Sequence, residues 1–203
     1  LSNDLYSKQF LRLLRRADGT RESMIQRVCR QVREAAPGVP ITIATAGTQI
    51  SLIRRQLGTD VSISVEPCRR DTFPAIALVC AYLHEVRGVL LTESVAICPA
   101  DPYVASDYFR AVTDLLTEVE REGAAPLLLM GIEPTYPSEK YGYILPETGD
   151  TQSKVASFRE NRTRRPQRNI SAKAHCGTAA SLHSGSAMYS ARCRKSSPLT
   201  ATK

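Results

Sequence analysis

The residue best placed by its neighbours to do chemistry is Asp101, which closes the stretch Val95-Ala-Ile-Cys-Pro-Ala-Asp101. A short apolar run rich in strand-forming residues is stopped by proline and delivers one carboxylate just past its end. In an open α/β sheet, ligands bind outside the carboxyl ends of the strands, so a carboxylate there can handle a metal ion or a phosphate. The same residues also suit an ordinary buried strand followed by a helix-capping Asp. The short motif alone does not choose between these readings.

Other metal chemistry finds less support. The six cysteines (Cys29, Cys68, Cys80, Cys98, Cys176 and Cys193) form no CxxC pair and have no His at metal-ligand spacing. Cys29, Cys80 and Cys98 fall in apolar helix or strand patterns, where a free thiol behaves as a small hydrophobe. We therefore expect no disulfide framework, no zinc site and a reducing, cytoplasmic setting. No apolar run is long enough to cross a bilayer, and no basic-then-apolar leader opens the sequence.

The elements that must hold Asp101 alternate along the chain. Met24, Ile25, Val28 and Val32 recur at helical spacing behind Ser23, a suitable N-cap. Ile41–Thr45 reads as a buried strand, Gln49–Leu57 as an amphipathic helix ending at Gly58, and Val61–Val65 as an alternating strand. Pro74 suits the first turn of a helix over Ala75–Val86. A further helix is expected from about Ala105 to Glu122 and a strand over Pro126–Met130. Two more strands begin at Tyr141 and at Val155. Strands alternating with helices over 41–131 imply a mostly parallel sheet, covered by helices and joined by right-handed crossovers.

At 203 residues and 42% hydrophobic, the chain can bury a core. Its net charge of +7 is unevenly spread. Nine of the 27 Lys and Arg lie after Glu160, and none of the 20 Asp and Glu, leaving 18 against 20 before it. The body is slightly acidic and the tail carries the positive excess, so composition does not favour a nucleic-acid partner for the body. Residues 161–203 show no helical or strand period and read as a separate, disordered tail.

Four stretches recur in order that together resemble one family. They are Tyr6-Ser-Lys-Gln-Phe-Leu11, Glu66-Pro-Cys-Arg-Arg-Asp-Thr-Phe-Pro-Ala-Ile76, Pro99-Ala-Asp-Pro-Tyr103, and Gly131-Ile-Glu-Pro-Thr135 followed by Tyr141-Gly-Tyr-Ile144. Residues 1–160 are similar to mannose-1-phosphate guanylyltransferases, sugar-nucleotide pyrophosphorylases with a Rossmann-like nucleotidyltransferase domain. The resemblance implies transfer of GMP from GTP to mannose 1-phosphate, giving GDP-mannose and pyrophosphate. It makes Lys8 a phosphate-binding lysine and Asp101 the carboxylate that holds Mg²⁺. Pro102 stands where family members commonly carry His.

In the family, the segment over 66–76 lies above the nucleotide base and opens a helix. That makes Glu66, Arg69, Arg70, Asp71, Thr72 and Pro74 the expected nucleotide-binding residues. Glu66 could accept guanine N–H groups, and the two arginines could pair with phosphates bidentately; Asp71 or Thr72 could equally be a helix cap. Gly142 matches a position where the backbone closes on the sugar, and with Tyr143 forms the expected substrate-binding pair.

The family also carries a GGxGxRL-type phosphate loop and, further on, EKP and WN-G-F motifs, none of which occurs in this sequence. The expectation is a partial nucleotidyltransferase domain over 1–160, incomplete at both ends and impaired in activity. One adenine restored after the Glu160 codon, with synonymous codons chosen to suit, would turn the tail into a sequence beginning KPDEATAEKYISQGALWNGG. The tail is accordingly read as out of frame. The alternatives are a non-catalytic nucleotide-binding remnant, or a related nucleotidyltransferase with another base or sugar.

Overall fold

In a computed structural model, the chain is described over residues 7–68, 72–121, 127–132, 142–150 and 152–160, and for the backbone of 187–192. It divides into two compact units, Leu1–Ala124 with Ser184–Lys203, and Ala125–His183.

The first unit begins with a single 3₁₀ turn, Lys8–Phe10, and a small antiparallel hairpin, β1 (Leu14–Arg15) and β2 (Arg21–Glu22). Helix α1 (Met24–Ala35) starts where the sequence places its cap. The Ser23 hydroxyl accepts from the Gln26 backbone N–H, and the Gln26 side-chain oxygen accepts from the Ser23 N–H at 3.1 Å. This reciprocal box satisfies two N–H groups that the first helical turn would leave orphaned. The apolar stripe of α1 then buries Ile25, Val28, Cys29 and Val32.

Strand β3 (Ile41–Ala46) is buried from Ile41 through Thr45. Burial of successive residues, Thr42 and Thr45 included, marks a strand covered on both faces. A 3₁₀ turn, Gly47–Gln49, leads into α2 (Ile50–Leu57). Gly58 ends that helix at φ +67°, a left-handed conformation that glycine adopts without a Cβ penalty. Strand β4 (Ser62–Glu66) lies parallel to β3, with Thr42 opposite Ser62 and Ala46 opposite Glu66. Helix α3 (Thr72–Glu85), strand β5 (Ser94–Pro99) and helix α4 (Ser106–Val119) follow.

The core gathers Phe10, the buried face of α1, Ile41 and Ile43 of β3, Ile53 of α2, Cys98 of β5 and Phe109 of α4. Each such aliphatic or aromatic side chain contributes roughly 1.5–3 kcal/mol when removed from water. A smaller cluster joins Ala44 to Val79 and Leu83 of α3. Cys29 and Cys98 behave as core hydrophobes, but Cys80 is exposed on α3, against expectation. The helix periodicity does not distinguish which side of an almost wholly apolar helix is covered.

The sheet order is β4-β3-β8-β5, where β8 is Ala187–Arg192. Strands β3, β4 and β5 share one direction, as the alternation of strands and helices implies. β8 lies between β3 and β5 and is antiparallel to both, with Ile41 opposite Ser190 and Ser94 opposite Arg192. The tail therefore contains one strand that its composition did not announce. Backbone pairing with two flanking strands satisfies its N–H and C=O groups whatever its side-chain pattern.

In the second unit, β6 (Gly142–Pro146) and β7 (Val155–Glu160) form an antiparallel pair, with Ile144 buried. Their loop is tied by Glu147 N–H to Lys154 O at 2.9 Å and Thr148 N–H to the Ser153 hydroxyl at 2.9 Å. The expected strand over Pro126–Met130 is not found: 127–130 carries no strand, and Pro126 lies outside the described residues. Leu127 is 71% exposed. An apolar run becomes a strand only when a neighbour pairs with it.

Candidate active site

Asp101 lies two residues beyond the carboxyl end of β5, after the buried Ala100. Lys8, 93 positions earlier, brings its Nζ to 2.8 Å from Asp101 Oδ2. The lysine side chain is 70% exposed and the carboxylate 28%. The two residues expected to do the chemistry thus meet at a strand's carboxyl end, where an α/β sheet binds its ligands.

Each partner is held by groups that no motif announced. Phe10 anchors the lysine's turn in the core, and the Gln56 side chain of α2 donates to Phe10 O at 2.8 Å. Gln49 donates to the Ser7 hydroxyl at 2.8 Å and accepts from buried Thr45 Oγ1 at 2.8 Å. On the other side, α1 holds the stretch after Asp101. Arg27 and Gln31 both donate to Val104 O, at 3.1 and 3.3 Å, and the Arg27 guanidinium lies 5.0 Å from the Tyr103 ring centroid. That distance is within cation–π range. Nothing in the sequence marks these glutamines, which read as polar positions on amphipathic helices but are buried at Gln31 and Gln49. Burial also acts on Tyr108 at the start of α4, whose hydroxyl is pushed up to about 12, with Cys98 adding to the shift.

Asp101 can serve as one carboxylate ligand to Mg²⁺, a cation commonly held by one or two carboxylates with substrate phosphates completing the shell. Among the described residues no group of three His, Cys, Asp or Glu could form an all-protein cage. A single carboxylate such as Asp101 fits the phosphate-assisted mode. Lys8 balances the carboxylate charge in the structure described.

The remaining expected residues fall on other elements. Glu66 ends β4, half-buried, and Thr72 and Pro74 occupy the first turn of α3. Arg69, Arg70 and Asp71 lie outside the described residues. Gly142 opens β6 in the second unit, and a Cβ there would meet Arg159 O at 3.6 Å, an ordinary contact. The strand itself does not require glycine at that position. Tyr143 is half-buried beside it. No helix among the described residues is long and apolar enough to cross a membrane.

The xanthan biosynthesis protein XanB of Xanthomonas campestris is 30% identical over 164 residues, which cover 79% of this chain and 33% of that protein. A putative mannose-1-phosphate guanylyltransferase of Vibrio cholerae is 31% identical over 178 residues, 84% of this chain and 35% of the relative. The mannose-1-phosphate guanylyltransferase of Salmonella montevideo is 30% identical over 152 residues, 71% of this chain and 29% of the relative. The chain thus spans about a third of the length of the curated relatives it matches. A solved Thermus thermophilus structure, described as a mannose-1-phosphate geranyltransferase, superposes with a TM-score of 0.60 at 23% identity. It covers 80% of this chain and 46% of its own, and shows the fold. Residues 1–177 match the family described as Nucleotidyl transferase. With an α/β sheet that brings a lysine and a carboxylate together at a strand's end, the chain belongs to the nucleotidyl transferase family.

Proposed function

We propose that the reaction served by this chain is transfer of GMP from GTP to mannose 1-phosphate, giving GDP-mannose and pyrophosphate. The observation that carries the reading is the 2.8 Å Lys8–Asp101 pair beyond the end of β5; relatives at about 30% identity named for that activity support it. A phosphate oxygen of mannose 1-phosphate attacks the α-phosphorus of GTP. The bond from that phosphorus to the β-phosphate bridge oxygen breaks, and pyrophosphate leaves. Catalysis in such a transfer is mainly positioning and charge neutralisation.

Lys8 exchanges its carboxylate partner for a phosphate oxygen and stabilises charge that develops there. Asp101 would hold Mg²⁺, and the ion would supply neutralisation of phosphate charge. Glu66 accepts from guanine N–H groups, and Arg69, Arg70, Asp71, Thr72 and Pro74 complete the nucleotide contacts. Gly142 and Tyr143 contact the sugar. The EKP and WN-G-F runs are absent from the sequence, so we expect slow turnover. The out-of-frame reading of 161–203 is decided by sequencing the DNA through the Glu160 codon.

The test is pyrophosphate release from GTP and mannose 1-phosphate with Mg²⁺. Measurable turnover is expected, falling about 10²-fold in Asp101→Asn and in Lys8→Met. Calorimetric heat with GDP-mannose but no turnover would favour the non-catalytic binder. Turnover with another nucleoside triphosphate or sugar phosphate, and none with these, would move the base or sugar. No heat and no turnover would overturn the proposal.

A further inference from the structure

A second arrangement of charge is built by the β1–β2 hairpin, α1 and the end of α2, from charged residues other than Lys8 and Asp101. A cavity of about 470 Å³ is lined by Arg16, Arg21, Arg30 and Arg33, with Glu22, Glu34 and Asp60 as its carboxylates. The acids do not balance the arginines evenly. Arg30 engages two of them: its Nε and Nη2 reach Glu22 at 3.2 and 2.7 Å, and its Nη1 reaches Glu34 at 3.0 Å. Those bonds hold its guanidinium well above the ordinary arginine range, Glu22 being the larger cause.

The other three retain hydrogen-bonding capacity. Arg16 meets Glu22 only through Nε, at 3.5 Å. Arg33 stands 4.0 Å from Asp60, which is itself 75% exposed. Arg21 is exposed and forms no ion pair among the described residues. Guanidinium groups present N–H forks that match phosphate oxygens bidentately. The volume falls within the range of small-ligand sites.

The hairpin carrying two of these arginines is held in place before any ligand arrives. Asp18 Oδ1 accepts from the Thr20 backbone N–H at 2.9 Å and from its hydroxyl at 2.6 Å, and the Arg16 N–H donates to Thr20 O at 2.9 Å. Gly19 turns the chain at φ +81°. A preordered frame lowers the entropy cost of binding. The body as far as residue 160 carries 18 basic against 20 acidic residues. It offers no general basic field for a polynucleotide, whose affinity rests on many phosphate contacts. The excess is local and the size of a small molecule.

We propose that this groove binds a phosphate-bearing small metabolite, its dianionic phosphate held by Arg16, Arg21 and Arg33. The site is separate from Lys8 and Asp101 and does not depend on the reaction assigned to them.

The test uses the full chain, with inorganic phosphate and pyrophosphate titrated at constant ionic strength and the arginine Nε–Hε resonances followed by NMR. Saturable shifts at Arg16, Arg21 and Arg33 are expected. The affinity read at the Arg16 resonance should fall at least tenfold in the double variant R21Q/R33Q, and the saturable shifts of the three arginines should persist in Lys8→Gln. Both substituted side chains are exposed and neither pairs with a buried carboxylate. The charge-preserving R21K/R33K variant should fall between wild type and the glutamine variant, and it decides the matter should the latter fail to fold. Equal affinity in R21K/R33K and wild type would overturn the proposal. So would unchanged binding in R21Q/R33Q, loss of the shifts in Lys8→Gln, or shifts that never saturate.

Discussion

Two of the ion-pair systems in the first unit are of opposite construction. At Lys8–Asp101, a largely exposed ammonium meets a partly exposed carboxylate, each arriving from a different part of the chain. At Glu22, a carboxylate only 5% exposed takes Arg30 at 2.7 Å and Arg16 at 3.5 Å. An exposed pair gains little stability, because water competes for both charges. A buried carboxylate cannot easily lose its partners, since its desolvation is then uncompensated. The first pair is therefore free to exchange partners with a ligand, and the second serves as a fixed frame. Reactivity belongs where the ion pair is cheap to open.

The contrast can be broken most forcefully at Glu22. Glu22→Gln leaves Arg30 without its closest carboxylate, and should lower unfolding stability by about 3 kcal/mol, read from the urea midpoint. A loss below about 1 kcal/mol would place Glu22 in the same class as the exposed pair.

Buried and exposed thiols sharpen the same distinction. Burial pushes Cys29 and Cys98 up to about 12, while an unfolded thiol ionises near 8.5. The folded chain keeps both protons when the unfolded chain has lost them. The stabilisation is complete below about pH 8.5 and is lost as pH rises towards 12, by about 1.4 kcal/mol per pH unit per thiol within that window. Denaturant unfolding between pH 8 and 11 measures it; a flat profile would show that burial does not govern these groups. Native alkylation at pH 8 should label Cys68 and Cys80, which are exposed, and spare Cys29 and Cys98. The smallest effect is expected at Lys8→Met, where unfolding stability should change by no more than about 1 kcal/mol while the assay reports the large loss of turnover. A stability loss of several kcal/mol would make the Lys8–Asp101 pair structural.

Local rules in the sequence reach far into this structure. Ser23 predicts the start of α1, Gly58 predicts the end of α2, and the run Ile41–Thr45 predicts a buried strand, because caps, positive φ and strand-forming runs act within a few residues. The positions of Lys8 and Asp101 were legible through their flanking motifs. Their 2.8 Å contact was not, since it depends on how Phe10 and β5 pack into one core. The same holds for Arg27, Gln31, Gln49 and Gln56, whose polar side chains give no hint in sequence that they fasten the site. Leu127–Met130 has the residues of a strand and forms none among the described residues, while Ala187–Arg192 has little strand pattern and gains two partners. Short-range patterning determined the helices of the first unit and the parallel strands β3, β4 and β5. Which strands pair, and which charges meet, was decided only by tertiary packing, because hydrogen bonds and ion pairs between distant segments carry no periodic mark along the chain.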